Sequence, residues 1–131
     1  VGDALQGWGT FVRMHSTAAS VYETIVYFTS GNKFRYLAQA GWDGADYKWS
    51  FFTSVPGTLN SAGDADGNIL FTGTSGWYKM ITNLNTKSIT LAPENEPKLF
   101  IVGDDQAWSF DNAVELTFIN DGVFQVTTSF N

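Results

Sequence analysis

Residues 21–28 read Val-Tyr-Glu-Thr-Ile-Val-Tyr-Phe, are followed by the turn-forming sequence Ser30-Gly31-Asn32, and set the fold class. β-Branched and aromatic residues dominate this segment, and their spacing is typical of a half-buried β-strand. Residues 33–39 follow as the expected hairpin partner, with Phe34 and Tyr36 on one face. The segment therefore predicts an antiparallel β-sheet in the first third of the chain.

More strands of the same character are predicted along the rest of the chain. They are residues 68–72, 77–82, 86–91, 113–119 and 122–130. Short loops with Asn or Gly join the second of these strands to the third, and the fourth to the fifth, as is typical of hairpins. No window shows the 3.6-residue apolar period of a helix. We therefore expect an all-β fold, in the form of a two-sheet antiparallel β-sandwich of the immunoglobulin-like kind.

Length and composition limit the function classes. The chain has 131 residues, 13 acidic and 7 basic side chains, a net charge of −6 and no cysteine. One domain, or one domain and a fraction, fits this length. The acidic balance argues against nucleic-acid binding, no apolar run is long enough for direct membrane insertion, and the lack of cysteine excludes disulfides and thiolate zinc sites. Aromatic content is high, because 11 Phe, 5 Trp and 5 Tyr make up 16% of the residues.

The sequence contains an internal similarity. Val1-Gly2-Asp3 recurs as Val102-Gly103-Asp104, and Trp8 has a counterpart in Trp108. Further along, the two regions match at a fixed offset, in the pairs Val12 with Val114, Met14 with Leu116, Val21 with Val123, Tyr22 with Phe124 and Phe28 with Phe130. Chance similarity between two hairpins is one explanation, and a truncated tandem repeat is the one that we favour.

The repeat divides the chain into three segments. Residues 1–92 are expected to form one module that lacks its first strand, residues 93–97 a linker with two prolines, and residues 98–131 the N-terminal part of a second, truncated repeat. Because so short a segment cannot bury a core alone, we expect it to pair with something. One hypothesis is that residues 98–102 fill the missing first-strand position, within the chain or by exchange in a homodimer. The chain begins without Met, and we expect it to be processed or excised from a longer protein.

Catalytic and metal chemistry have weak support in the sequence. The single histidine, His15, lies in a strand-like segment, where a partly buried histidine or one at a sheet edge is expected. No serine stands in a nucleophile elbow, and most carboxylates fall in polar turns, where they are solvated and ionised. Residues 64–68 (Asp-Ala-Asp-Gly-Asn) are similar to an acidic calcium loop but lack the closing glutamate, so a polar hairpin tip is preferred. We therefore expect no enzyme activity, no metal and no cofactor.

Loop aromatics supply the candidate binding residues. After the strand that carries Arg35, the chain enters a glycine-rich segment with Trp42, Tyr47 and Trp49, and another indole, Trp8, lies between two glycines. Indoles in such loops are hard to bury. A flat exposed indole suits the apolar face of a sugar ring, while a neighbouring Arg or Asp binds the hydroxyl groups. The alternative is that single indoles plug the end of the sandwich.

Three motifs resemble those of a known family. Leu99-Phe100-Ile101-Val102-Gly103-Asp104, followed by Trp108, resembles the opening of the repeated β-sandwich modules in the SusE/SusF-type outer-membrane proteins of Bacteroidetes starch-utilisation systems. Residues 31–37 (Gly-Asn-Lys-Phe-Arg-Tyr-Leu), with Gly41-Trp42 just after them, resemble the central strand and loop of these modules. Residues 76–91 resemble their closing hairpin.

The resemblance implies a starch-binding-module-like sandwich that binds glycans without catalysis at the cell surface, in tandem copies behind a lipidated N-terminus. It also implies two aromatic platforms with a basic residue between them, which Trp8, Trp42 and Arg35 match. Tyr47 and Trp49 have no firm counterpart and are candidates only. Residues 57–67 depart from the family pattern, so the glycan need not be starch.

We therefore expect an extracellular or cell-surface module whose partner is a polysaccharide or oligosaccharide, such as a starch-like glucan or another plant or dietary glycan. Two alternatives remain open. One is a structural or protein-binding adhesion sandwich, whose exposed aromatic residues would form a flat, contiguous patch. The other is an accessory domain of a secreted glycoside hydrolase.

Overall fold

The computed structural model describes residues 1–129 of the chain. Phe130 and Asn131, which end the chain after the predicted last strand and include the repeat match of Phe28, lie outside the described residues. The described residues form strands and short 3-10 turns with no α-helix, which confirms the all-β prediction. The strands are β1 (His15–Ala18), β2 (Val21–Phe28), β3 (Lys33–Phe34), β4 (Tyr36–Leu37), β5 (Asp46–Tyr47), β6 (Leu59–Ser61), β7 (Ile69–Phe71), β8 (Gly76–Asn83), β9 (Ser88–Pro93), β10 (Leu99–Ile101), β11 (Val114–Asn120) and β12 (Val123–Gln125). The 3-10 turns are Trp49–Phe51, Asp104–Gln106 and Phe110–Asn112.

The strands form four small sheets rather than the clear two-sheet sandwich that the sequence predicts. The largest sheet has the order β1-β2-β8-β9, and the others have the orders β3-β7-β6, β4-β5 and β10-β11-β12. All neighbouring strands in these sheets are antiparallel. The middle of the chain divides in this way because β3 to β7 are only two or three residues long, too short to extend one continuous sheet.

Strand β2 lies inside the largest sheet, as its composition predicts, and pairs with β8 along its whole length. The β8–β9 hairpin is also as predicted. Its turn is held by the Asn83 side chain, whose Oδ1 accepts backbone hydrogen bonds from Asn85 and Thr86 at 2.9 and 3.0 Å. Strand β9 extends to Pro93, the first residue of the predicted linker.

The predicted hairpin between residues 21–28 and 33–39 is wrong. Strand β3 pairs with β7, and β4 pairs with β5, so neither lies beside β2. The chain leaves the largest sheet at Gly31, whose φ is 78° and whose backbone N–H donates to the Phe71 carbonyl at 2.8 Å. The Phe71 N–H in turn donates to the Asn32 carbonyl at 3.0 Å. A distant strand thus satisfies the backbone groups that a local hairpin would have used.

The core lies between the largest sheet and the β3-β7-β6 sheet. Phe28 of β2 contacts Phe34 of β3 and Phe71 of β7, with ring centroids 5.4 and 4.9 Å apart. Tilted and edge-to-face ring pairs of this kind add to the stabilisation from apolar burial. The buried apolar residues of this cluster come from both sheets and the adjoining loops, and they are Ala4, Val26, Phe28, Phe34, Phe52, Leu59, Ile69, Phe71, Met80 and Ile89.

Some polar groups in this core have hydrogen-bond partners, and one does not. The Tyr36 hydroxyl accepts a hydrogen bond from Thr82 Oγ1 at 2.8 Å and donates to Met80 Sδ at 3.0 Å. Burial raises the pKa of the Tyr36 phenol above its usual range. The buried Thr24 Oγ1, in contrast, has no hydrogen-bond partner among the described residues. An unsatisfied buried hydroxyl of this kind costs about 1–3 kcal/mol.

The β10-β11-β12 sheet packs on the largest sheet from the side opposite the core. Phe118 of β11 contacts Trp77, on the face of β8 opposite to the buried Met80, with ring centroids 5.3 Å apart. Asp121, in the predicted β11–β12 turn, lies 2.7 Å from His15 Nδ1. No residue of the range 94–129 is fully buried. This sheet therefore depends on its contacts with the first part of the chain.

Strand β10 pairs with β11 and with no other strand of the described residues. Residues 99–101 thus lie beside residues 114–116, and not beside a strand of residues 1–93, within one chain.

Candidate functional site

The loop of residues 2–8 orients the first candidate indole. Gly2 and Gly7 exchange backbone hydrogen bonds of 3.0 and 2.9 Å, and their φ values are 134° and 96°. Glycine adopts such positive φ values without a steric penalty. Trp8 follows this closed loop, and its Nε1–H donates to Asp3 Oδ2 at 3.0 Å. The hydrogen bond fixes the orientation of the half-buried Trp8 ring.

The loop between β4 and β5 carries the second candidate indole. The Ala38 N–H donates to the Ala45 carbonyl at 2.9 Å and closes the base of the loop. Inside it, Gln39 Nε2 donates to the Gly41 carbonyl at 2.8 Å. Trp42 lies in the middle of this loop and is 50% exposed. Its indole N–H has no hydrogen-bond partner among residues 1–129.

The two indoles lie close together near the surface. The ring centroids of Trp8 and Trp42 are 6.2 Å apart, and the ring planes are inclined by 32°. We call these two residues the indole pair. Their neighbours Asp3 and Asp43 are exposed carboxylates. The arrangement therefore combines two neighbouring indoles with two exposed carboxylates, of which Asp3 is bonded to Trp8.

Arg35 is held in a separate set of polar contacts. Its guanidinium donates from Nε to Asn68 Oδ1 at 2.9 Å, from Nη1 to Asp46 Oδ2 at 3.2 Å and from Nη2 to the Asp66 carbonyl at 3.2 Å. The side chain is only 13% exposed. None of these partners belongs to the indole pair, and every guanidinium nitrogen is already engaged. Arg35 therefore ties the β4–β5 hairpin to the loop before β7.

Tyr47, on β5, and Trp49, in the 3-10 turn that follows, pack against the core. The Tyr47 ring packs edge-on against Phe51, with ring centroids 4.9 Å apart. The Trp49 backbone N–H donates to the Gly67 carbonyl at 2.9 Å. Both side chains are half-buried against the core. The structure thus brings Trp8 and Trp42 together and keeps Arg35, Tyr47 and Trp49 in packing or hydrogen-bonding roles nearby in the fold.

The sequence analysis did not single out Asp3, the residue that orients Trp8. The signal for it was present in the internal similarity, because Asp104 follows the second Val-Gly sequence as Asp3 follows the first. Trp108 Nε1–H donates to Asp104 Oδ1 in the second region. A hydrogen bond from an indole N–H to the aspartate of the same turn is therefore a shared property of the two turns.

The acidic loop before β7 holds its first carboxylate with donors from the protein. Asp64 Oδ1 accepts the Asn68 backbone N–H at 3.0 Å, and Oδ2 accepts Asn68 Nδ2 at 2.9 Å and Lys33 Nζ at 3.0 Å. The backbone hydrogen bond from Asn68, followed by the contact with Lys33, holds the pKa of Asp64 below its usual range. Within residues 1–129, no group of three or more His, Asp or Glu side chains is placed to bind a metal ion.

His15 lies on β1, at the edge of the largest sheet, as predicted. Its Nδ1 lies 2.7 Å from Asp121 Oδ1, and its Nε2 lies 3.8 Å from Glu23 Oε1. The contact with Asp121 joins β1 to the turn between β11 and β12, which is a structural role.

The remaining observations concern the chain as a whole. Among the residues that the structure describes, none belongs to a helix that is long and apolar enough to span a membrane. No protein-family model, curated protein or solved structure matches the chain.

Proposed function

We propose that the chain is a non-catalytic carbohydrate-binding module that holds a polysaccharide on the indole pair. The observation that carries the proposal is the contact between Trp8 and Trp42, whose ring centroids are 6.2 Å apart at the surface. The faces of a pyranose ring present C–H groups, and the face of an indole carries the partial negative charge that attracts them. Because Trp8 is already held by Asp3, little conformational entropy is lost from this ring on binding.

The groups around the indole pair supply hydrogen bonds to the sugar in this proposal. The Trp42 indole N–H has no partner among the described residues and is able to donate to a sugar hydroxyl group. The exposed Asp43 carboxylate is able to accept from another hydroxyl group. Arg35 contributes indirectly, because it holds the hairpin that carries Trp42. A shallow surface with few hydrogen bonds corresponds to a dissociation constant between micromolar and millimolar, roughly −8 to −4 kcal/mol.

We further propose that the largest sheet and the β3-β7-β6 sheet act as the two layers of a starch-binding-module-like sandwich. The core that these sheets share supports this interpretation. The ligand would be a starch-like glucan or another plant or dietary glycan. Such polymers are met outside the cell, so the proposed setting is extracellular or at the cell surface. Tandem copies of the module would raise avidity through effective concentration.

Affinity electrophoresis tests the proposed function. The chain is run on native gels that contain amylose, xylan, β-glucan or mannan, beside a non-binding protein of similar charge. We expect the wild-type chain to be retarded on at least one gel, because the indole pair slows it each time a sugar ring stacks there. Unretarded migration on every gel would contradict the proposal.

A second candidate function, protein binding, is favoured by a different observation. Trp108 and Phe110 are 67% and 88% exposed, and Leu99 and Phe100 of the same region are also exposed. A contiguous patch formed by such exposed apolar side chains would mark a protein contact site. Protein binding at this surface predicts loss of partner capture in a Trp108→Ala, Phe110→Ala double variant that still migrates like the wild-type chain on the glycan gels.

A further inference from the structure

The β4–β5 loop, residues 38–45, presents Trp42 with little support from regular structure. The hydrogen bond from the Ala38 N–H to the Ala45 carbonyl closes its base. Above the base, the backbone N–H groups of residues 42–44 donate to no described residue, and these three residues are exposed. Neither a strand ladder nor burial therefore holds the backbone around Trp42.

Gln39 takes part in both hydrogen bonds that the structure shows inside this loop. Its backbone carbonyl accepts from the Gly41 N–H at 2.9 Å. Its side-chain Nε2 donates to the Gly41 carbonyl at 2.8 Å. Gly41 directly precedes Trp42 in the chain. The Gln39 carboxamide therefore fixes the peptide group that leads into Trp42.

The same carboxamide lies against Gly44, on the other side of Trp42 in the chain. A Cβ built on Gly44 would lie 2.7 Å from Gln39 Nε2, and closer still to Oε1 and Cδ. The carboxamide thus occupies the space that a side chain at position 44 would need. Gly44 does not have a positive φ, so this contact, rather than backbone conformation, requires glycine at the position.

The separation of the indole pair depends on where this loop places Trp42. The Trp8 ring is oriented independently, because its Nε1–H donates to Asp3 Oδ2 at 3.0 Å. Trp42 has no such hydrogen bond, and its ring contact among the described residues is with Trp8, at 6.2 Å between centroids. A side chain that holds the backbone on both sides of Trp42 therefore determines the position of the second ring.

We propose that Gln39 is a positioning residue of the indole pair, and that Gly44 is needed to admit its carboxamide. The inference rests on the proposed function and adds a residue that acts through Trp42 without contacting the sugar. Because Gln39 orders the loop before a ligand arrives, less conformational entropy is lost when a sugar ring stacks on Trp42. Gln39 therefore contributes to affinity while contributing little to the stability of the fold.

Binding of the single variants tests this role, on whichever polysaccharide retards the wild-type chain. We expect Gln39→Ala to weaken binding about fivefold and to leave the urea midpoint unchanged, because the lost hydrogen bond is exposed. Gln39→Glu should behave alike, because an ionised carboxylate has no proton to donate to the Gly41 carbonyl. Wild-type affinity in Gln39→Ala, or a loss that accompanies unfolding of the chain, would overturn the inference.

Ser16→Ala is the matched control. The exposed Ser16 Oγ donates to the Ala18 carbonyl at 3.0 Å, and this acceptor, like that of Gln39, lies two residues further along the chain. The hydrogen bond belongs to β1 and does not involve the β4–β5 loop. We expect less than about a twofold change in affinity. A loss equal to that of Gln39→Ala would overturn the specific role of Gln39.

A double-mutant cycle tests the link between Gln39 and Gly44. Gly44→Ala is expected to weaken binding as much as Gln39→Ala, because the added methyl group displaces the carboxamide. The double variant should bind like either single variant, since both substitutions remove the same contact. Losses that multiply in the double variant would overturn the shared role of the two residues.

Circular dichroism tests the inference without a ligand. The transition dipoles of two indoles in contact couple, and the signal lost in Trp42→Ala isolates the coupling of this ring. We expect Gln39→Ala and Gly44→Ala to lose most of that signal and Ser16→Ala to keep it. An unchanged signal in Gln39→Ala would overturn the inference whether or not a polysaccharide binds. Loss of the signal in a chain that binds none of the polysaccharides would support the role of Gln39 and contradict only the proposed function.

Discussion

The two Val-Gly-Asp turns share these three residues and two backbone hydrogen bonds to the glycine carbonyl but are covered differently. In the first region, Val1 is only 7% exposed. The turn is hydrogen-bonded to β3, because the Ala4 N–H donates to the Lys33 carbonyl at 3.0 Å. In the second region, Trp108 is 67% exposed, and a Cβ added at Gly103 would make only an ordinary contact with Gln106. The two hydrogen bonds to the glycine carbonyl thus form in both regions, and contacts with a distant segment determine whether the turn is buried.

The same contrast separates the two indoles that these turns orient. Trp8 and Trp108 each donate to an aspartate of their own turn. Trp8 also meets Trp42 from the β4–β5 loop, whereas Trp108 makes no ring contact with a described residue. A two-ring surface therefore needs both the turn and the loop, and the first region alone has both among the described residues.

The largest predicted effect on stability comes from adding a methyl group to the first turn. A Cβ at Gly2 would lie 2.3 Å from the Lys33 carbonyl oxygen and 2.5 Å from Phe34 Cα, at a φ of 134°. Because backbone atoms cannot move aside easily, we expect Gly2→Ala to lower the free energy of unfolding by about 3 kcal/mol or more. Urea denaturation followed by fluorescence measures the change.

Gly103→Ala is the matched control for this prediction. Gly103 has an extended backbone with a φ of −168°, and the nearest atom to an added Cβ is Gln106 Oε1 at 3.8 Å. We expect a change below about 0.5 kcal/mol. Equal effects of the two substitutions would mean that the first turn is not buried as described.

A smaller effect is predicted where the second region contacts the first. Phe118→Ala removes the ring that contacts Trp77 at 5.3 Å between centroids, and we expect a loss of about 1–2 kcal/mol because the site is only partly buried. Hydrogen exchange should accelerate in β11 and β12 more than in β2 and β8. Phe100→Ala, which removes an exposed ring from the same sheet, is expected to change stability by less than about 0.5 kcal/mol. Similar exchange in both variants would contradict a supporting role for the Phe118–Trp77 contact.

The smallest predicted effects on stability come from removing one ion pair in each region. Hydrogen bonds hold the pKa of Asp64 below its ordinary value of 3.8, so the folded chain keeps this carboxylate ionised when the unfolded chain takes up a proton. The stabilisation is therefore present at neutral pH and is lost as the pH falls below about 4. Asp64→Asn should lower the urea midpoint at pH 7 and make its decline between about pH 5 and 2 shallower.

Glu115→Gln is the control for the ion pair of the second region. Lys98 Nζ and Glu115 Oε1 are 3.5 Å apart, and both side chains are about half exposed. Exposed pairs of this kind contribute little, so we expect a change in the free energy of unfolding of about 0.5 kcal/mol or less. A decline with falling pH that becomes shallower in Glu115→Gln than in Asp64→Asn would contradict the role given to Asp64.

Part of this fold could be predicted from local sequence. Alternation and turn residues located β2, the β8–β9 hairpin and the β11–β12 hairpin, because each signal lies within one short segment. The pairing of β3 with β7 could not be predicted in the same way, since the partners are more than thirty residues apart. Such distant pairings decide which strands join the largest sheet and the β3-β7-β6 sheet, so local sequence could not show that the strands divide into four small sheets.

The candidate site, like the fold, could be predicted from local sequence only in part. Glycine-rich surroundings indicated that Trp8 and Trp42 would be hard to bury, but their mutual contact depends on how the β4–β5 hairpin folds over the loop of residues 2–8. The contacts of Arg35 depend on Asp46 and Asn68, which approach it from β5 and from the loop before β7. No local pattern specifies these partners.

The most direct test of the central claim is a comparison of two tryptophan variants on whichever polysaccharide retards the wild-type chain. Trp42→Ala removes one ring of the indole pair, and Trp108→Ala removes a more exposed indole that lacks a second ring among the described residues. We predict at least a tenfold loss of affinity, about 1.4 kcal/mol, for Trp42→Ala and less than a twofold change for Trp108→Ala. Full affinity in Trp42→Ala, or a greater loss in Trp108→Ala, would contradict the assignment of binding to the indole pair.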